Sequence, residues 1–162
     1  MASPGAYSAP DLKGLNTQGL RIAILYTGWN SHIIEPLAAG AKGTLLRSGF
    51  DEAQLSFHRV PGAFELPLAA LWSLEAGNDG VVCLGCIIRG GTPHFEYVSD
   101  AATRGILDAG LRYARPVAFG VLTVDNEEQA LERAGGAHGN KGEEAAMALL
   151  EMLQLRQQLA LS

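Results

Sequence analysis

The sequence predicts a three-layer α/β sandwich, with a four-stranded parallel sheet between two layers of helices. Two observations carry this. Four apolar runs of strand length alternate with segments whose apolar residues recur at helical spacing, the pattern of successive βαβ units. The runs are also apolar almost throughout, as strands covered on both faces must be. A right-handed crossover at each step then sends helices to both faces of the sheet.

The elements follow in order. Residues 1–19, rich in Ser, Pro, Gly and Ala, read as an arm that is flexible unless something docks it, and residues 20–162 as one domain without repeats or linkers. Leu20 to Tyr26 is the first strand. Asn30 to Arg47 is a helix with apolar residues at Ile33, Ile34, Leu37, Ala38, Ala41 and Leu45; Pro36 must lie early in it, which moves its expected start toward His32. Gly49 ends it. Leu55 to Val60 is the second strand, and a helix from about Phe64 to Glu75 follows, with Pro67 tolerable only near its first turn. Gly80 to Ile88 is the third strand, His94 to Tyr113 the third helix and Val117 to Thr123 the fourth strand. Asn126 and Gln129 form a capping-box pair that opens a short helix to Ala134. Gly135 to Gly142 carries four glycines and is expected to break the path before a last helix from Glu143 to about Leu159. This alternation is that of a flavodoxin-like sandwich.

Composition excludes several function classes. At 162 residues the chain suits a single domain with a sizeable core. A net charge of −5 without a basic cluster argues against nucleic acid, and no apolar run approaches membrane-spanning length. Two cysteines make no disulfide framework, and the first 20 residues show neither a basic start nor an apolar stretch, so the expected location is the cytoplasm.

The chemistry is expected at LGCIIRGGTPHFEYV, residues 84 to 98. An apolar strand breaks at Arg89-Gly90-Gly91, and Thr92-Pro93-His94 leads into a helix, which puts the loop at the carboxyl edge of the sheet. Gly90 and Gly91 let the backbone approach a ligand, and the free N–H groups of the helix start favour an anion. His94 is the only histidine expected beside that pocket. Taken alone, a histidine at a helix start is more often a cap than a catalyst. The glycines imitate a phosphate-binding P-loop, but Gly91 stands where the lysine is required. Cys83 and Cys86, three apart on a strand, point to opposite faces and read as small buried hydrophobes rather than a metal or redox pair. Strand one ends in Thr27-Gly28-Trp29-Asn30 and strand two in Pro61-Gly62-Ala63-Phe64-Glu65. Trp29 and Phe64 are placed to sandwich a flat heterocycle and Glu65 to hold hydroxyls or an amine.

VPGAFELP (60 to 67), IIRGGTPHFEYV (87 to 98), FGVLT (119 to 123), NEEQALERAG (126 to 135) and GNKG (139 to 142), in that order and spacing, make the chain resemble the lumazine synthase family over about Leu20 to Met152. The resemblance implies an enzyme of riboflavin biosynthesis, a transferase that joins 5-amino-6-(D-ribitylamino)uracil to 3,4-dihydroxy-2-butanone 4-phosphate. The products are 6,7-dimethyl-8-ribityllumazine, phosphate and water. It further implies no cofactor or metal, a homopentamer with sites between neighbouring subunits, either alone or in a sixty-subunit shell, and association with riboflavin synthase.

Residue roles come with it. The resemblance puts Trp29 on the pyrimidine with Asn30 beside it, and Ala63, Phe64 and Glu65 on the ribityl chain. Cys86, Ile87 and Ile88 offer main-chain groups to the pyrimidine. Gly91 and Thr92 hold phosphate, and His94 moves protons. Phe119, Arg133 and Lys141 reach in from the adjacent subunit; by itself Arg133 reads as a solvated helix charge. Trp29 is larger than the family's commoner phenylalanine, which favours tight binding of product or riboflavin. The alternative is therefore a riboflavin- or lumazine-binding or storage protein with little turnover. A flavodoxin-like signalling receiver is disfavoured, because the strand ends carry Trp, Asn and His rather than an acidic cluster.

Overall fold

The computed structural model describes residues 8–160. Its central sheet has four parallel strands, β1 (Ile22–Thr27), β2 (Leu55–Val60), β3 (Gly80–Ile88) and β4 (Val117–Val124), in the order β2-β1-β3-β4. The helices are α1 (Ser31–Arg47), α2 (Leu66–Glu75), α3 (His94–Tyr113), α4 (Glu127–Arg133) and α5 (Lys141–Gln158). A short antiparallel pair, β5 (Ala134–Gly136) and β6 (Gly139–Asn140), joins α4 to α5. The predicted α/β sandwich is the observed one.

Two cores flank the sheet. Ile22, Ile24, Val82 and Leu84 face Leu37, Leu45, Leu149 and Leu150 of α1 and α5. Ala23, Leu25, Val81 and Cys83 face Leu66, Ala70, Ala102 and Ile106 of α2 and α3. The alternation of faces along each strand explains why both parities are apolar. Full burial of each Leu or Ile contributes roughly 1.5–3 kcal/mol. Gly105 brings α3 down onto α2, since a Cβ there would lie 2.6 Å from Cβ of Pro67.

The differences from expectation are local. β1 begins at Ile22 rather than Leu20, because Leu20 still belongs to a turn, its N–H donating to Thr17 O at 3.2 Å. α2 is preceded by a 3₁₀ turn at Ala63–Glu65, and Pro67 sits in the first turn of α2 as anticipated. At α4 the Asn126 side chain accepts from Gln129 N, but Gln129 Oε1 accepts from Asp125 N rather than from Asn126. α5 starts at Lys141, two residues earlier than expected, because Asn140 Oδ1 accepts from Gly142 N and Glu143 N. Gly142 is thus no breaker. It lies where a Cβ would overlap the carbonyl of Leu37, so it permits the close crossing of α1 and α5.

From Asp11 on, the described part of the arm is docked. Leu12 and Leu15 pack on the α1/α5 core, Gln154 Nε2 donates to Asp11 O at 2.9 Å, and Asn16 exchanges two hydrogen bonds with the Gln157 side chain. Gln54 Nε2 closes the arm's base on Thr17 O and Leu20 O at 2.6 and 2.9 Å. The rest of the predicted arm, residues 1–7, lies outside the described residues. No helix among the described residues is long and apolar enough to cross a membrane.

Candidate active site

The strand order reverses direction at β1, whose successor in sequence lies on one side and β3 on the other. Ligands of open parallel sheets enter the crevice outside the carboxyl ends at such a point. Here β1 leaves the sheet abruptly. Gly28 N donates to Val60 O at 2.9 Å and to Pro61 O at 3.3 Å, and Asn30 adopts the left-handed conformation (φ 56°) that turns the chain into α1. That turn leaves Trp29 71 % exposed at the rim. On the β2 side the 3₁₀ turn presents Phe64, 64 % exposed, and Glu65, while Ala63 is buried beneath them. Trp29 and Glu65 converge over Gly62: a Cβ there would lie 3.4 Å from Glu65 Oε2 and 3.6 Å from Trp29 Cδ1.

β3 supplies the floor. Its pairing with β1 ends at Tyr26↔Leu84, whereas its pairing with β4 runs on to Ile88↔Val124. Gly85, Cys86, Ile87 and Ile88 therefore pair with a strand on one side only, beyond the end of the shorter β1. Backbone N–H and C=O groups without a neighbouring strand require other partners. The sequence had no marker for this overrun.

The next loop, between β3 and α3, leads to the histidine. A Cβ at Gly90 or Gly91 would meet nothing within 4 Å, so this loop is open to a ligand. Thr92, Pro93 and His94 are exposed, and His94 N lies 3.5 Å from Thr92 Oγ1, a long contact that leaves the helix start free for an anion. Around it stands a charge network that sequence reasoning missed. Arg89 Nε donates to Asp125 Oδ1 at 2.9 Å, Arg89 Nη1 donates to Glu96 Oε1, and the guanidinium lies 4.2 Å from the centroid of the Phe95 ring. The guanidinium holds the Glu96 carboxyl below the usual carboxylate range, with the helix start's backbone adding to the effect.

A second histidine also stands at the carboxyl edge of the sheet. His32, in the first turn of α1, is paired through Nε2 with Glu127 of α4. The two cysteines do lie on opposite faces, Cys86 toward α1 and α5 and Cys83 toward α2 and α3. Burial pushes the Cys83 thiol up to about 12, and burial with the Glu127 charge pushes Cys86 up to about 11, so neither is a nucleophile at neutral pH.

Residues 19–157 match the family model described as 6,7-dimethyl-8-ribityllumazine synthase. The chain belongs to this family. It is 55 % identical over 140 residues to a protein of that name from Helicobacter pylori, covering 86 % of this chain and 90 % of the relative. A Campylobacter curvus protein of the same name is 51 % identical over 140 residues with the same coverage, and one from Desulfovibrio desulfuricans is 47 % identical over 146 residues, covering 90 % of this chain and 94 % of the relative.

Of three residues singled out by the resemblance to lumazine synthases, Phe119 lies away from the crevice within one chain, and Arg133 and Lys141 make their polar contacts elsewhere. Phe119 is paired with Cys83, five residues before the end of β4, which at ~3.3 Å per residue puts it roughly 16 Å from the carboxyl edge. It is 40 % exposed in an apolar groove of 510 Å³ with Leu107, Leu111, Met152 and Leu155, and that groove contains none of Trp29, Phe64 and His94. Arg133 folds back on α4, Nη1 donating to Gln129 O at 2.9 Å, and Lys141 pairs with Glu144 at 2.7 Å at the start of α5. Among the described residues, no hydrogen bond or ion pair links any of the three to Trp29, Glu65 or His94.

Proposed function

We propose that the crevice at the ends of β1, β2 and β3 is one half of a site that condenses 5-amino-6-(D-ribitylamino)uracil with 3,4-dihydroxy-2-butanone 4-phosphate, and that a neighbouring copy supplies the other half. The reaction is that of the lumazine synthase family, the penultimate step of riboflavin biosynthesis. The observation that carries the site assignment is the overrun of β3 past β1 beneath exposed Trp29. A planar ring stacked on the indole reaches the open backbone of Cys86, Ile87 and Ile88. Asn30 flanks the ring, and Ala63, Phe64 and Glu65 line the ribityl chain.

Gly91 and Thr92 hold the phosphate at the start of α3. The uracil 5-amino group attacks the ketone, and the carbinolamine loses water to an imine. Loss of a proton beside the imine carbon expels phosphate, and after tautomerisation the ribitylamino nitrogen closes the second ring with loss of water. His94, exposed at the phosphate loop, gives and takes these protons. Much of the acceleration comes from holding two reactive molecules together.

Phe119, Arg133 and Lys141 serve the neighbour's crevice. The apolar groove around Phe119 is of the kind that a second copy covers, and head-to-tail contacts of this sort close into rings, here a pentamer. Whether further packing into a sixty-subunit shell follows is decided by sedimentation. We place the protein in the cytoplasm, where it hands product to riboflavin synthase. Mixing the purified protein with both substrates should produce the lumazine chromophore and one phosphate per turnover. Binding of product without turnover would assign it to storage instead.

A further inference from the structure

Among the described residues, the loop from Gly90 to Pro93 has few hydrogen bonds of its own, Pro93 O accepting from Glu96 N at 3.1 Å at its far end. It is exposed along its whole length, and His94 N reaches Thr92 Oγ1 only at 3.5 Å. Its two ends, however, are tied together by one side chain. Arg89, the residue before the loop, is anchored through its own N–H to Val124 O at 2.9 Å, which extends the β3–β4 pairing by one step. Its side chain then spans the loop. The guanidinium stacks on Phe95 and its Nη1 donates to Glu96, the two residues directly after His94, while Nε donates to Asp125 at the end of β4. Asp125 N in turn donates to Gln129 Oε1 in the first turn of α4, four residues before Arg133.

We propose that Arg89 is a positioning residue that sets the phosphate loop and the His94 imidazole against the crevice. This rests on the site assignment made above. A flat guanidinium suits the task, because its Nε and Nη1 edges address two carboxylates while its face covers an aromatic ring. Lysine, a point charge on a flexible stem, makes one of these contacts at a time. The bonds are exposed, and exposed ion pairs add little to global stability. Their effect falls on local geometry, where small misplacements of reacting groups reduce rate steeply.

The test compares Arg89→Gln and Arg89→Lys with Glu96→Gln and Asp125→Asn. Steady-state kinetics are taken for each substrate, inorganic phosphate binding is followed by ³¹P NMR, and melting is measured in parallel. The expected result is a KM for the butanone phosphate raised roughly tenfold in Arg89→Gln, with kcat lowered. KM for the uracil should stay within about twofold and the melting temperature nearly unchanged. Arg89→Lys should recover only part of the loss. Arg89→Gln combined with Glu96→Gln should be little worse than Arg89→Gln alone, since both remove the same contact. His94→Ala and Arg133→Ala are run as controls. If they lose activity while Arg89→Gln keeps wild-type constants, or changes both KM values equally with its melting temperature, the positioning role is overturned. If all three variants match wild type, the site assignment falls and takes this proposal with it.

Discussion

The indole of Trp29 and the carboxylate of Glu65, from loops 36 positions apart in sequence, overhang the same backbone atom: a Cβ at Gly62 would lie 3.4 Å from Glu65 Oε2 and 3.6 Å from Trp29 Cδ1. An aromatic face beside a carboxylate, above a residue without a side chain, is the arrangement that the proposed binding of a flat ring carrying hydroxyls or amines calls for. The arrangement exists because Gly28 N is bonded to both Val60 and Pro61, which locks the β1 and β2 loops together.

Substitution at these two residues should act on the uracil. Trp29→Ala should raise its KM by removing the stacked face, Trp29→Phe should keep most of the affinity, and Glu65→Gln should weaken binding by roughly 1.5–3 kcal/mol if the carboxylate accepts from the ribityl hydroxyls. Titration of each variant with the uracil or the lumazine product, read by calorimetry, measures this. Unchanged affinity in Trp29→Ala would remove the indole from the site.

Activity should require two copies. His94→Ala is expected to slow turnover roughly tenfold to a hundredfold, and Arg133→Ala to raise KM for the butanone phosphate far more than for the uracil. Dissociating and reassembling a mixture of the two variants should restore part of the activity, most near equal amounts, because some interfaces then pair an intact His94 with an intact Arg133. A site built wholly within each chain would give no recovery at any ratio.

The buried thiols set a limit at high pH. Both folded values, about 12 for Cys83 and about 11 for Cys86, lie above the ordinary thiol value of ~8.5. The unfolded chain therefore ionises first, and the stability these thiols contribute is complete below about pH 8.5 and lost as pH rises toward 11. Urea midpoints measured from pH 7 to 10.5 should fall, and Cys86→Ala should flatten the slope. Rapid iodoacetamide labelling of the native protein at pH 7.5 would contradict the burial.

Gly142→Ala should destabilise the fold out of proportion to one methyl group. The added Cβ would overlap Leu37 O and lie 2.7 Å from its carbonyl carbon, so α1 and α5 must part, at a cost of about 1–3 kcal/mol or more. Denaturant unfolding reads the cost directly; a midpoint equal to wild type would show that the crossing is looser than described.

What the sequence by itself determined was the part that rests on local pattern. Apolar runs and helical periodicity located four strands and five helices within a few residues, Pro67 and Asn126 marked helix starts, and the parity of Cys83 and Cys86 put them on opposite faces. The motifs around Gly62, His94 and Arg133 sufficed for the family. What only the tertiary structure decided were relations between segments distant in the chain. Gly142 looked like a breaker because its carbon-free side serves Leu37, more than a hundred positions earlier. The docked arm depends on Gln154 and Gln157, the unpaired side of β3 on its outrunning β1, and the Arg89 network on Asp125 meeting Arg89. Periodicity records which way a residue faces, not what stands opposite, and those partners exist only once the βαβ crossovers have brought the strand ends to one edge.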